Sequence, residues 1–337
     1  MIFLNINEIK QGSVYTLADC GIFAALGVVL VLVSTYIPLL GFLAALVWSV
    51  PVIIVVLRRG VGAGILTSVV VFMLSVLFTG PVMGVVSGIT VGVFGIAYGI
   101  CFKKKISPGK TLFIGTIVAG LVTVITLTAS MFIGNIPINS LIQSAEDSFR
   151  EIFATYDEMG LLAQVLPAGV SSNEYIAEVI DMFRRLLPGV FILAAMSMAA
   201  LNYVFAALIL KKFQFDIRPL PLFREWHFPW WIMWGIAVVL AAYLMGKQLG
   251  GENYFLIAQN ILYIYLPIFM VSGVSIITYF FHMWKLSNGI RGIIWVIAVL
   301  FMSFSLPFII LMGAIDTVLD YRKHLKKITD ELNKKVE

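Results

Sequence analysis

Residues 21–60 read GIFAALGVVLVLVSTYIPLLGFLAALVWSVPVIIVVLRRG, with no charged side chain before Arg58 and Arg59. A helix needs about 20 apolar residues to cross roughly 30 Å of hydrocarbon, so this stretch is long enough for two crossings. Because hydrocarbon offers the backbone no hydrogen-bond partner, each crossing segment is predicted to be a helix.

The composition extends this prediction to the whole chain. Of 337 residues, 61% are hydrophobic and only 12% are charged, about half the charged share of a soluble domain. Lys and Arg exceed Asp and Glu by five. Since these bases cluster in short connections between apolar runs, we interpret them as determinants of membrane topology. We therefore expect the lipid bilayer as partner, and no nucleic acid.

Apolar runs of spanning length recur along the sequence. They are residues 17–38, 41–57, 61–79, 81–102, 111–134, 187–210, 229–249, 255–281 and 292–315. The predicted fold class is all-α, a polytopic membrane bundle of about 8–9 transmembrane helices with a helical extracytoplasmic loop.

The placement of Lys and Arg predicts a multi-pass membrane protein with a cytoplasmic N-terminus. The end of the chain conflicts with this pattern, because a ninth span would place a basic tail outside. Two alternatives stay open. Either the rule fails at residues 292–315, or this segment breaks near Pro307 and turns back, which favours a cytoplasmic tail.

The predicted organisation has six parts. These are the first five spans (1–134), an acidic extracytoplasmic loop (135–186), a sixth span (187–212), a cytoplasmic interfacial loop (213–228), the C-terminal spans (229–320) and a basic tail (321–337). The acidic loop has eight acidic residues against three arginines. Capping-box patterns at Ser140 and Ser171 predict two amphipathic helices within it.

Small residues form stripes in the first half of the chain. Gly84, Gly88 and Gly92 recur at four-residue spacing, and Gly21 and Ala25 have the same spacing in the first span. Glycine lets two helix backbones approach closely. These residues are candidates for packing within the bundle or, alternatively, for docking another membrane protein.

Few polar residues lie at membrane depth, and each is a candidate for function because burial in lipid is expensive. The candidates are Asn202, Gln259, Asn260, Asp316 and Asp320. For the amides we favour hydrogen bonds between helices over ligand contacts. For the two carboxylates we favour pairing with Arg322 and Lys323 at the interface; the alternative is a cation or proton site.

Signatures of catalysis are absent from the sequence. The three histidines stand far apart, and there is no zinc-binding or phosphate-binding motif. We predict no catalytic residues, no metal, no cofactor and no enzymatic activity.

The stretch LMGAIDTVLDYRK (311–323), residues 21–60 and the order of spans resemble the YybS-like bacterial membrane proteins, an uncharacterised family. The resemblance implies a bacterial plasma-membrane location and no assigned activity.

The first six spans also resemble the substrate-binding S-components of energy-coupling-factor vitamin transporters, on the small-residue first span and PVIIVVLRRGVGAG (51–64). In that family an alanine motif on the first span docks a transmembrane partner; here the best match is Gly21 with Ala25. The resemblance implies a substrate-binding transport component for a small molecule, working with an energising ATPase module or an ion gradient. The alternative is a membrane assembly or regulatory partner that acts through helix contacts.

Overall fold

The computed structural model describes residues 6–135, 137–161, 170–218, 221–249 and 251–323. Most of the predicted basic tail, residues 324–337, lies outside this set. The helices are α1 Ile6–Tyr36, α2 Pro38–Val47, α3 Val50–Arg59, α4 Val61–Thr79, α5 Pro81–Lys103, α6 Pro108–Gly134, α7 Ile138–Glu158, α8 Ser172–Lys212, α9 Trp234–Leu249, α10 Glu252–Met283, α11 Asn288–Leu300 and α12 Met302–Leu319. Short 3₁₀ turns occur at Phe223–Glu225 and Trp230–Met233.

Nine helical segments in the described ranges are long and apolar enough to cross a membrane. They confirm the predicted all-α polytopic bundle. Within the second of them the helix breaks between Val47 and Val50. Pro51 has no amide hydrogen to donate to the preceding turn, which accounts for the interruption inside the predicted span 41–57.

The chain divides into two compact units, Met1–Ile180 with Phe191–Leu220, and Asp181–Val190 with Pro221–Glu337. In the first unit, α5 packs along α4 and α3. One core cluster groups Ala24, Val28 and Val31 of α1 with buried valines of α3, α4 and α5. A second cluster is rich in aromatic residues and is built mainly on α3, α5 and α8.

In the described residues of the acidic segment there is one separate helix, not two. Helix α7 packs Phe149 and Phe153 against Tyr175, Ile176 and Ile180 near the start of α8. Helix α8 continues without a break from Ser172 to Lys212, so the second predicted amphipathic helix is the beginning of the sixth span.

The two predicted capping boxes differ in outcome. Ser171 accepts the backbone N–H of Glu174, while the Glu174 side chain accepts that of Ser171. This capping box is confirmed. The prediction at Ser140 is wrong, because α7 already begins at Ile138 with Pro137 as its N-cap. The Ser140 hydroxyl instead donates to the carbonyl of Pro137 at 2.7 Å.

In the second unit, α10 and α12 cross at two glycines. A Cβ built on Gly273 would lie 1.9 Å from the carbonyl oxygen of Ile309, and one on Gly313 would lie 1.9 Å from that of Phe269. The helices therefore touch backbone to backbone, as small residues permit in membrane helices.

The predicted segment 292–315 is two helices joined at Phe301, which is the C-cap of α11 and the N-cap of α12. The Ser305 hydroxyl lies 2.6 Å from the carbonyl oxygen of Ala298, although seven residues of a straight helix would span about 10 Å. The chain is therefore sharply bent at Phe301, and the predicted break at Pro307 is wrong. Pro307 lies inside α12.

The bend gives α12 the same direction as α10. Beyond the glycine crossing, Ser275 of α10 and Asp316 of α12 both contact Arg322. Both helices thus leave the crossing in one direction. Lys323, at the start of the tail, consequently lies toward the end of this unit at which α10 terminates; the side of the membrane on which the tail lies stays a prediction.

Candidate functional site

The small-residue face of α1 is open. Gly21 and Ala25 are both exposed, and a Cβ built on Gly21 would meet nothing within 4 Å. The neighbouring Ala24 is only 1% exposed because it points into the core of the first unit. Helical periodicity thus separates a buried face from a second face that none of the described helices of this unit covers.

The glycines of α5 are used inside the bundle. A Cβ built on Gly84 would lie 2.3 Å from Val76 Cα, one on Gly88 would lie 2.7 Å from Phe72 Cα, and one on Gly92 would lie 2.9 Å from Ser68 Cβ. All three glycines are buried against α4. Of the two alternatives, the structure places these residues in intramolecular packing.

Asn202 lies in the core of the first unit and is fully buried. Its amide nitrogen donates to the carbonyl of Met198 at 3.1 Å, and its amide oxygen accepts the Ser49 hydroxyl at 3.3 Å. Nearby, the Tyr98 hydroxyl donates to the carbonyl of Ala199 at 2.7 Å. The polar groups of this core are satisfied by one another, and aromatic rings fill the space around them.

Asn260 of α10 bonds to the backbone of α8 beside Pro188. Its side-chain oxygen accepts the N–H of Gly189 at 2.7 Å, and its amide nitrogen donates to the carbonyl of Arg185 at 2.8 Å. These two backbone groups are an i, i−4 pair next to Pro188, whose ring disturbs the helical hydrogen bonds. The Asn260 carboxamide therefore supplies a hydrogen-bond partner to both of these backbone groups. The adjacent Gln259 is exposed.

The Asn260→Leu variant is expected to lose about 2 kcal/mol of unfolding free energy, because two buried backbone groups lose their partner. The matched control is Gln259→Leu, which makes the same change at an exposed position. Thermal unfolding in detergent would measure both. Equal stability of the two variants would show that α8 closes its own hydrogen bonds at Pro188.

A charged cluster closes the second unit. Arg322 and Asp316 form an ion pair of 2.9 Å, with side chains 9% and 1% exposed. The second terminal nitrogen of the guanidinium, Nη1, donates to the carbonyl of Arg224 at 2.8 Å and to the Ser275 hydroxyl at 3.1 Å. Within the described residues, Asp316 Oδ1 and Arg322 Nε have no hydrogen-bond partner. The pair is therefore buried and incompletely satisfied, an arrangement that is expensive to keep.

Asp320 lies at the edge of this cluster, where it ends α12 in a left-handed conformation. Its carboxylate pairs with Lys323 at 2.5 Å. Partial burial opposes ionisation, but the hydrogen bond and charge of Lys323 prevail and lower the pKa of Asp320 below its usual range. Both ion pairs favoured from the sequence are thus present, one buried and one exposed.

The sequence of the chain matches a known protein family over most of its length. The family described as "Predicted membrane protein (DUF2232)" matches residues 25–317. The chain belongs to this family. A relative, "Uncharacterized protein YybS" of Bacillus subtilis, is 24% identical over 269 residues, which cover 79% of this chain and 84% of the relative. The YybS-like resemblance is confirmed. No solved structure matches the chain, and the S-component resemblance is not shown by these comparisons.

Several residues of this DUF2232 chain that position the site carry no clear signal in the sequence. Ser275 and Arg322 are separated by 47 positions, and Ser49 and Asn202 by 153. Single hydroxyls in apolar runs do not reveal such partners. For metals, no group of three His, Cys, Asp or Glu side chains in the described ranges could hold an ion. The prediction that the protein needs no cofactor is not tested by this.

Proposed function

We propose that this protein is a non-enzymatic subunit of a bacterial plasma-membrane complex, with its first helix docked on a helix of another membrane protein. The observation that supports the proposal is the open small-residue face of α1, formed by Gly21 and Ala25. In the same unit the glycines of α5 are covered by α4.

Small residues favour helix association for a physical reason. Lipid tails are as apolar as leucine, so helices gain little from hiding apolar side chains from lipid. Association depends instead on close backbone contact and dispersion, which a glycine or alanine face allows. A face of this kind on the surface of a folded unit offers such contact to a second protein.

The S-component resemblance suggests one kind of partner, a transmembrane protein of an energising ATPase module. The alanine motif of that family is not intact here, since Gly21 takes the place of the first alanine. The resemblance therefore supports the location of the contact more than the identity of the partner.

Capture of a small-molecule substrate remains a further prediction. Asn202 and Ser49, which lie in the core of the first unit, bond to one another, so these two side chains are not free to bind a ligand. For this reason we place partner binding ahead of substrate transport. A thermal-shift screen of the purified protein against vitamins and metabolites tests this choice. If a compound raised the melting temperature, substrate transport would become the better supported of the two functions.

The docking proposal predicts that the Gly21→Leu/Ala25→Leu double variant loses its partner. A photo-crosslinking amino acid at Leu26, which is exposed on the same helix, would first capture the neighbour in native membranes for identification by mass spectrometry. We expect the crosslink to that protein to fall about tenfold in the double variant, since two leucines would hold the helices apart.

The matched control is Gly292→Leu, because a Cβ at Gly292 also meets nothing within 4 Å but lies on α11. This variant should keep the crosslink. An undiminished crosslink in the double variant, with all proteins expressed at equal levels, would contradict the proposal.

A further inference from the structure

The ends of α3, α5 and α8 and the start of α6 carry a set of exposed basic residues. A Cβ built on Gly60, just after α3, would lie 3.7 Å from Lys103 Nζ at the end of α5. Lys105, in the turn after α5, pairs with Asp216, in the segment after α8. We define the basic face as the exposed cations Arg58, Lys103, Lys104, Lys110, Lys211 and Lys212.

Within the basic face, the guanidinium of Arg58 is packed against two aromatic rings. Its guanidinium carbon lies 5.7 Å from the centre of the Phe23 ring and 5.6 Å from that of Phe215. Cation–π contacts of this length orient a guanidinium without using its N–H groups. In the described ranges Arg58 makes no ion pair, whereas the adjacent Arg59 pairs with Asp19 at 2.7 Å.

An oriented guanidinium with free N–H groups fits a phosphate. Arginine presents a planar set of donors that can bind phosphate oxygens in pairs, and lysine adds charge without this geometry. Lys103 supplies such a charge close to the end of α3. The location favours a lipid as the source, because the ends of spanning helices lie at the level of the phospholipid headgroups.

We propose that Arg58 and Lys103 bind the phosphate of an anionic phospholipid headgroup at the ends of α3 and α5. Phe23 and Phe215 hold the guanidinium in the orientation that the phosphate requires. The remaining lysines of the basic face attract anionic lipid to this place.

The test uses the full chain purified in detergent and titrated with phosphatidylglycerol, with bound lipids counted by native mass spectrometry. We expect phosphatidylglycerol to bind more tightly than phosphatidylcholine. The Arg58→Gln variant should bind phosphatidylglycerol about fivefold more weakly, the effect of one basic residue near a membrane surface. Arg59→Gln removes the same charge from the neighbouring, paired position and should bind as the unchanged protein does.

Equal losses in the two arginine variants, or no loss in either, would overturn the proposal. If Arg58→Gln does not fold, the Phe215→Leu variant is tested in its place, because it keeps every charge and removes one aromatic ring. Undiminished binding of phosphatidylglycerol by this variant would also overturn the proposal. A parallel titration with glycerol 3-phosphate distinguishes the sources. Displacement of the lipid by this soluble phosphate would assign the same site to a soluble ligand, and failure to displace it supports the lipid.

Discussion

The Gly84→Leu variant is expected to lose more than about 3 kcal/mol of unfolding free energy and to leave little folded protein. A Cβ at this position would lie 2.3 Å from Val76 Cα and 2.4 Å from Val76 N. These are backbone atoms of α4, so no change of side-chain rotamer can make room. Leucine would force α4 and α5 apart along their whole contact.

Gly120→Leu is the matched control for this experiment. It makes the same chemical change on a neighbouring spanning helix, α6, where a Cβ meets nothing within 4 Å. Unfolding in detergent, followed by tryptophan fluorescence, should place this variant close to the unchanged protein. Equal melting temperatures for the two variants would contradict the close contact between α4 and α5.

The spacing of the glycines predicts a contact between helices but not which helix is the partner. The spacing of Gly84, Gly88 and Gly92 predicts that two helices meet there, but does not say whether both belong to this chain. That choice depends on which side of α5 the rest of the fold covers. For Gly21 and Ala25 the spacing is similar, and the fold of the first unit leaves them open.

Of the two breaks in the helices, one has a cause that is visible in the sequence and the other does not. The interruption between α2 and α3 follows from Pro51, a local cause that the sequence displays. The bend at Phe301 has no such cause, because the residues around it are ordinary apolar ones. Pro307, the visible signal, is accommodated within α12. The bend is instead accompanied by tertiary contact, the close crossing of α12 with α10 at Gly313.

The sequence predicts the correct ion pairs near the C-terminus but does not predict the burial of one of them. Proximity in sequence predicts that Asp316 and Asp320 meet Arg322 and Lys323. It does not predict that Arg322 folds back to become buried. That burial depends on the hydroxyl of Ser275 and the carbonyl of Arg224, which are distant in sequence and become adjacent only in the folded unit.

The burial of this pair leads to a prediction for Asp316→Ala, which is expected to destabilise the second unit by about 3–5 kcal/mol. The substitution leaves the Arg322 guanidinium buried without its carboxylate. By contrast, Asp320→Ala should change stability by less than about 1 kcal/mol, because its partner Lys323 has a side chain that is 77% exposed. Thermal unfolding of the two variants in detergent would measure the difference.

A double-mutant cycle separates the ion pair from the loss of a side chain. Arg322→Met should also destabilise, because it leaves the Asp316 carboxylate buried alone. The double variant Asp316→Ala/Arg322→Met removes both charges and is expected to be more stable than either single variant. Simple addition of the two single losses would mean that Asp316 does not depend on Arg322. The carboxylate would then be free for the cation or proton site that we rank second, whereas a strong coupling identifies it as part of a structural ion pair.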